Sequence, residues 1–176
     1  MLFRSNNVLE TIFNRRSVRE FTDRKVSRED LMLIVRAGMS APSAINLQPW
    51  EFIVFDEEDI LDFMVDLHEY SGMFKTATAG ILVCGNMDRC VENFSELWVQ
   101  DCSASIENML LAIESLSLGG VWLGIYPLRE RCEKLIKYFN LPGNIVPFGI
   151  IALGYPGGDS LAKDKWDENK LHWNKW

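Results

Sequence analysis

The sequence predicts a three-layer sandwich of helices around a sheet, in the α/β or α+β class. Four short apolar segments alternate with longer segments whose apolar residues recur at helical spacing. A hydrophobic content of 48% with 24% charged residues is typical of one globular domain, and 176 residues are enough for a substantial core. The predicted strands lie at about Glu51–Phe55, Gly80–Gly85, Val121–Tyr126 and Phe148–Leu153.

Apolar spacing and capping residues predict the first two helices. Between Val8 and Phe13 apolar residues pair four positions apart, and Ser5–Asn7 can cap that helix. Ser27 and Asp30 form a weak capping box before the second helix, which we expect to end near Gly38. Its inward-facing residues are predicted to be Leu31, Ile34 and Val35.

Three further helices follow. The acidic run Asp56–Asp59 precedes an apolar stripe, so we interpret it as a helix N-terminus that favours negative charge, not as an acidic site. The longest helix is predicted at about Glu96–Leu118, stopped by Gly119-Gly120. A last helix contains Cys132–Phe139 and is expected to be closed by Leu141–Gly143.

The composition excludes several classes of protein. A net charge of −7 argues against nucleic-acid binding, because phosphate backbones attract basic proteins. No apolar run approaches the roughly 20 residues that cross a bilayer, and Met1–Asn7 lacks a signal-peptide core. The four cysteines show no CxxC spacing, which favours reduced thiols. We therefore expect a cytoplasmic protein without nucleic-acid or membrane partners.

Familiar catalytic motifs are absent from the sequence. His68 and His172 are the only histidines and no HExxH motif occurs, so we predict no metal site. There is no GxSxG elbow and no phosphate-binding P-loop, and Gly119–Gly124 does not match the GxGxxG fingerprint. We assign no catalytic side chain.

The loop within Ala41–Phe52 suits a flat heteroaromatic ligand. Two prolines restrict its backbone. Its polar residues, Ser43, Asn46 and Gln48, are neutral donors and acceptors, and Trp50 would add an aromatic surface. The alternative is an ordinary connection between a helix and a strand.

A basic run, Arg15–Arg19, is the other concentrated signal. In an extended chain Arg15, Ser17 and Arg19 would face one side, where two guanidinium groups and a hydroxyl match a phosphate monoester. Lys163 and Lys165 could converge on the same anion. Alternatively, the arginines only complement the C-terminus of the first helix.

The C-terminal tail, residues 159–176, is polar but tryptophan-rich. Trp166, Trp173 and Trp176 stand among lysines, and a lone tail cannot bury three tryptophans. We therefore expect the tail to dock in extended form, with a second subunit as one possible surface.

Together these segments resemble the nitroreductase family of FMN-dependent oxidoreductases. The resemblance rests on Arg15–Phe21, Ala41–Phe52, Gly119–Tyr126 and the tail segment Lys163–Trp166, and it spans essentially the whole chain. It implies an α+β fold, a three-layer α-β-α sandwich with a central mixed sheet, in a single domain. It also implies a homodimer with FMN at the subunit interface and a tail that packs across the dimer.

The resemblance also implies roles for individual residues. Arg15 and Ser17 would face the FMN phosphate, with Arg16 beside them, and Arg19 would reach the N1/C2-carbonyl side of the flavin. Leu123 and Gly124 would pass their backbone near N5. Lys163 and Lys165 would complete the phosphate site, although the family often has arginine there. The residues that would approach the FMN of the partner subunit are Pro42, Ser43, Ala44 and Asn46, with Gln48 nearby.

The implied activity passes a hydride from NADH or NADPH through the flavin to a nitroaromatic compound, a quinone or a similar acceptor, with ping-pong kinetics. A non-catalytic protein that binds or stores FMN is the alternative, and reductive dehalogenation or flavin destruction is a rival within the fold. No insertion that could form a lid is visible. Leu47, Met73 and Phe74 are pocket candidates that could equally be core residues.

Overall fold

The computed structural model describes residues 7–92, 94, 96–158 and 160–176, so Ser5 and Asn6, offered above as caps, and Asp159 of the tail lie outside the described residues. All the predicted helices and strands are found, with shifted ends. The helices are α1 (Asn7–Asn14), α2 (Arg28–Met39), α3 (Glu58–Val65), α4 (Leu97–Ser115) and α5 (Arg129–Phe139). The strands are β1 (Trp50–Phe55), β2 (Ala79–Asn86), β3 (Gly119–Gly124) and β4 (Ile145–Gly154).

The four strands form one sheet in the order β1-β2-β4-β3. Every pairing between these strands is antiparallel, which makes the fold α+β. In the described part of the chain, parallel pairing is limited to an isolated bridge between Ser17 and Gly120, so the sheet is mixed only through that bridge. The central strands β2 and β4 are almost wholly buried, whereas β1 and β3 are the edges of the sheet.

Helices cover both faces of the sheet, because successive side chains of a strand point to opposite faces. Ile81 and Val83 of β2 face the core cluster that contains α2 and α4. Leu82, between them, faces a second cluster that contains α3 and α5. Two cores separated by one sheet give the three layers expected from the sequence.

Capping of α2 is confirmed, but the end of α4 was predicted wrongly. The Ser27 hydroxyl accepts a hydrogen bond from the Asp30 N–H at 3.1 Å. Helix α4 ends through Ser117, which has a φ of 58°, and the Leu118 N–H donates to the Ile113 carbonyl at 3.0 Å. This arrangement is a Schellman motif with serine in the left-handed position that glycine usually takes.

Gly119 and Gly120 therefore begin β3 and do not stop α4. Their size is needed for packing, since a Cβ on Gly119 would lie 2.7 Å from the side chain of Val18. In the same way α5 turns at Asn140, which has a φ of 50°, and the Leu141 N–H donates to the Ile136 carbonyl at 3.0 Å, so Leu141 closes this helix as expected. In the described residues no helix is long and apolar enough to cross a membrane.

Candidate functional site

One edge of the sheet is left open beside β3. The Gly120 carbonyl accepts a hydrogen bond from the Val18 N–H at 3.0 Å, which covers the first part of this edge. Backbone direction alternates along a strand, so Trp122 and Gly124 turn their N–H and C=O groups to the same outer side as Gly120. The Arg131 guanidinium, whose Nη1 donates to the Gly124 carbonyl at 2.8 Å, confirms this direction.

A cavity of about 520 Å³ runs along this open edge. That volume is in the range of small-molecule sites. The Gly124 position is open, since a Cβ built there would meet no atom within 4 Å. We call this space the β3-edge cavity; its lining residues are Arg19, His68, Tyr70, Gly72, Met73, Val121, Trp122, Leu123, Gly124 and Arg131.

Three residues predicted from the sequence meet in the β3-edge cavity. Arg19, Leu123 and Gly124 all line it. The Leu123 side chain is buried, and its backbone groups face β4 by the same alternation. The outward backbone groups therefore belong to Trp122 and Gly124, and sequence reasoning missed Trp122 because it could not know that β3 is an edge strand.

The lining of the cavity is positively charged in an acidic protein. It includes Arg19 and Arg131, and among its described lining residues there is no aspartate or glutamate.

His68 also lines the cavity, and its Nδ1 accepts a hydrogen bond from the Tyr70 N–H at 3.1 Å. The proton must then be on Nε2, which is buried without a hydrogen-bond partner in the described structure. Burial and the positive charge of Arg131 lower the pKa of His68 below its ordinary value.

The basic run has the alternation that an extended chain predicts. Val18 is buried, Arg19 lines the cavity and Ser17 is exposed. The Arg15 Nε lies 3.3 Å from a carboxylate oxygen of Glu107 on α4.

Arg16 also contacts α4. Its Nη1 lies 2.9 and 3.1 Å from the two carboxylate oxygens of Glu114, and its Nε donates to the Ser160 carbonyl at 2.6 Å. The side chain therefore joins α4 to the start of the tail.

The loop of residues 41–49 is rigid and strained. Ile45, Asn46 and Gln48 have φ values of 43°, 60° and 50°, a left-handed conformation that costs an ordinary residue roughly 1 kcal/mol or more. Two hydrogen bonds hold the shape: the Ala44 N–H donates to the Asp101 carboxylate at 2.9 Å, and the Gln48 N–H donates to the Ser43 hydroxyl at 3.0 Å. Strained backbone of this kind is characteristic of ligand clamps and switches.

The loop is not part of the β3-edge cavity, because none of residues 41–49 lines it. Pro42, Asn46 and Gln48 are exposed, and the Ile45 side chain is 79% exposed. Asp101, which anchors the loop, is itself 8% exposed on α4. The loop is thus a stiff, apolar-tipped projection from the protomer surface.

The expectation that Trp50 would offer an aromatic surface was wrong, and Phe74 takes the core position that was its alternative. Trp50 is only 5% exposed and belongs to the core beneath α2 and α4, so it offers no surface to a ligand. Trp50 is the first residue of β1, and its side chain lies on the face of the strand that packs in the core. Phe74 is likewise a core residue, with its ring centroid 6.1 Å from that of Phe55. Of the other pocket candidates, Met73 lines the cavity and Leu47 is half-buried in the loop.

The tail projects its apolar residues. Lys163 and Lys165 are exposed and do not line the cavity. Trp166, Trp173 and Trp176 are 72%, 79% and 100% exposed. Three tryptophans in water form the kind of surface that in other proteins marks an interface.

Comparison with known proteins gives consistent results. A sequence model of a protein family, described as "Nitroreductase family", matches residues 12–77 and 68–155 of this chain. A relative from Methanothermobacter thermautotrophicus, named "Putative NADH dehydrogenase/NAD(P)H nitroreductase", is 41% identical over 97% of this chain and 88% of its own. A crystal structure with the same name, from Parabacteroides distasonis, superposes with a TM-score of 0.92 at 40% identity, covering 98% of this chain and 100% of that one.

A second solved structure was determined with a ligand. It is described as "a putative nitroreductase in complex with fmn" from Desulfovibrio desulfuricans. Its TM-score is 0.85 at 30% identity, and the match covers 98% of this chain and 99% of that one.

Proposed function

The chain belongs to the nitroreductase family, and on that premise we propose that it is an FMN-dependent oxidoreductase with NADH or NADPH as electron donor. The observation that carries the proposal is the open edge of β3 beside Arg19. The similarity to a nitroreductase solved in complex with FMN supports it. The acceptor would be a nitroaromatic compound, a quinone or a related conjugated molecule.

The residues of the β3-edge cavity fit the ring system of FMN. Its volume of about 520 Å³ accommodates a tricyclic ring, and no side chain occupies the space beside Gly124. Outward backbone groups of Trp122 and Gly124 supply donors and acceptors for the polar edge of a flavin. When bound, FMN would supply the redox chemistry, by accepting a hydride from the nicotinamide and passing it to the acceptor.

The chain itself would contribute binding and electrostatics. Arg19 would hold the N1/C2-carbonyl side of the flavin, where its positive charge favours electron uptake. Gly124, whose outward backbone N–H faces the cavity, would lie near N5 and fix the position of hydride exchange, whereas Leu123, which the resemblance gave the same role, turns its backbone groups to β4. No side-chain acid or base is required in this scheme, and we assign none.

For the phosphate we propose Arg15 and Ser17, with Lys163 and Lys165 from the tail. Alternation along an extended chain supports a surface shared by Ser17 and Arg19, whereas Arg15 would have to release Glu107 on α4 to reach the phosphate. Arg16 was included among the cofactor residues, but its bonds to Glu114 and Ser160 suit a supporting role. By holding the start of the tail, it would help to bring the two lysines to the phosphate.

We propose that the active form is a homodimer of single-domain subunits, with FMN at the interface. The loop residues Pro42, Ser43, Ala44, Asn46 and Gln48 would then complete the cavity of the partner subunit. That no residue of the loop lines the cavity of its own subunit supports this, as does the exposure of Ile45. The tail, residues 159–176, would bury its tryptophans across the dimer.

Donor and acceptor would bind in turn at the same open face, which gives ping-pong kinetics. The test is an absorbance spectrum of the purified protein, taken before and after anaerobic addition of NADH and then NADPH. We expect flavin bands that bleach and reappear on addition of a nitroaromatic compound or quinone. Bands that persist with both nucleotides would instead support the alternative, a protein that binds or stores FMN. A protein without flavin bands after incubation with FMN would contradict the cofactor assignment.

A further inference from the structure

The proposed function leaves unused two polar side chains of the β3-edge cavity. Arg131 and His68 both line it, and we call their surroundings the Arg131–His68 end. Arg131 comes from the first turns of α5, whereas His68 lies in the turn after α3. Both side chains therefore reach the cavity from elements packed beneath the sheet, and neither belongs to the segments that resemble the family motifs.

The Arg131 guanidinium is fixed but not saturated. It has five N–H donors in a rigid fork, and in the described structure its Nη1 is bonded to the Gly124 carbonyl at 2.8 Å. This bond holds the fork beside the residue that we place near the hydride-exchange position. The remaining donors have the geometry that binds carboxylates in bidentate fashion.

His68 provides a second, independent indication of a ligand. Its Nε2 is buried and has no hydrogen-bond partner among the described residues. Buried polar groups nearly always find a partner, and an unpaired donor costs roughly 1–3 kcal/mol. Because Nδ1 already accepts from the Tyr70 N–H, Nε2 carries the proton, and the side chain must turn toward the cavity before this buried donor reaches an anion.

The charges around this end favour an anion over a neutral molecule. Arg19 and Arg131 line the cavity. Lys134 also acts on His68, but its charge is offset by Glu130, whose carboxylate lies 3.1 Å from the Lys134 Nζ. Glu69 is the opposing charge close to His68, but it does not line the cavity. Two guanidinium groups in a partly enclosed space act through a lower dielectric than water, so their attraction is stronger there.

We propose that the electron acceptor is an anionic conjugated molecule whose carboxylate binds between Arg131 and His68. This inference rests on the proposed function, because it orients the acceptor toward Gly124. The carboxylate would anchor the acceptor while its nitro or carbonyl group reaches the hydride-exchange position. The protein would then bind and reduce carboxylated acceptors in preference to neutral acceptors of the same shape.

The test compares two isosteric pairs on the FMN-loaded protein. Dissociation constants of benzoate and benzamide are measured by perturbation of the flavin absorbance, and kcat/KM is measured with 4-nitrobenzoate and 4-nitrobenzamide. The variants are Arg131→Gln and the conservative Arg131→Lys. Arg129→Gln is the matched control, because Arg129 lies on the same helix and pairs with Glu133 on the surface.

We expect the wild-type protein to bind benzoate at least tenfold more tightly than benzamide. Arg131→Gln should reduce this preference at least tenfold. The kcat/KM for 4-nitrobenzoate, divided by that for 4-nitrobenzamide, should fall by a similar factor. Arg131→Lys should retain part of the preference, and Arg129→Gln should match the wild-type protein.

The opposite results separate the two proposals. An Arg131→Gln protein that retains FMN and the full preference for benzoate would overturn the inference and leave the proposed function intact. Loss of FMN from Arg131→Gln, or a raised KM for NAD(P)H alone, would assign Arg131 to the cofactor or the donor and also overturn it. A wild-type protein without flavin would contradict both proposals.

Discussion

The edge of β3 and the loop of residues 41–49, which we propose to meet in one site, differ in backbone conformation and in the hydrogen bonds they leave open to a ligand. At the β3 edge the backbone is relaxed, and the outward groups of Trp122 and Gly124 face the cavity. In the loop the backbone is strained, and the N–H groups of Ala44 and Gln48 are already bonded within the protomer. A ligand would therefore gain hydrogen bonds at the edge of β3, whereas the loop would contact it with a surface whose shape is already fixed.

Because the two regions differ in this way, we expect substitutions in them to have different effects on binding and on stability. Loss of a cation at the edge would weaken binding and leave the fold intact. Loss of a support beneath the loop would cost stability first and binding second. The following variants separate these effects.

The largest effect is expected from Arg19→Ala, which removes a cation from the edge. A charge-assisted hydrogen bond is worth about 1.5–3 kcal/mol, so the FMN dissociation constant should rise about 10- to 100-fold. Titration of FMN fluorescence measures the change, and Arg129→Ala, at an exposed position on α5, is the control. An unchanged dissociation constant would remove Arg19 from the site.

A smaller effect, on stability, is expected from Asp101→Ala. The substitution leaves the Ala44 N–H without its acceptor and should lower the free energy of unfolding by about 1–3 kcal/mol, as measured by urea denaturation. Asp101→Asn keeps an acceptor oxygen and should lose less than half as much. Equal losses in both variants would show that the charge, and not the hydrogen bond, supports the loop.

Relief of loop strain should give a modest gain. Gln48→Gly removes the penalty of a φ of 50°, partly offset by the greater freedom of glycine in the unfolded chain, for a net gain of about 0.5 kcal/mol. Ser117→Gly, at a left-handed position outside the site, is the matched variant and should gain a similar amount. A loss of stability in Gln48→Gly alone would contradict the view that the loop is strained.

The smallest effect is a pH dependence from His68. Burial and the charge of Arg131 lower the pKa of His68 in the folded protein, so the unfolded state binds the proton more readily. The contribution of His68 to stability is therefore full above its ordinary pKa of about 6.5 and is lost as the pH falls through the lower folded value. In urea denaturation at pH 7.5 and 5.5, His68→Gln should lose less stability on acidification than the wild-type protein. An equal loss would show that His68 titrates normally.

Local sequence predicted most of the fold because the apolar spacing of each element is a local property. Local sequence also selected Arg19, which stands in the basic run, whereas Leu123 and Gly124 came from the resemblance to the nitroreductase family. It missed Trp122, His68 and Arg131, because the cavity forms only when β3, α5 and the turn after α3 meet, and the face of Trp50 could not be decided from its neighbours. Ser117 and Asn140 take the left-handed position at helix ends that glycine usually takes; asparagine adopts this conformation at low cost, and local hydrogen bonds close both helices.

The central claim is that each site combines the β3 edge of one subunit with the loop of the other. It is tested most directly by mixed dimers of Arg19→Ala and Asn46→Gly subunits, each of which should bind FMN weakly as a homodimer. In the mixed dimer one site carries both substitutions and the other carries neither, so we predict one FMN bound per dimer with wild-type affinity. If Arg19 and Asn46 served a site within one subunit, both sites would stay defective and no tight binding would return, which would contradict the claim.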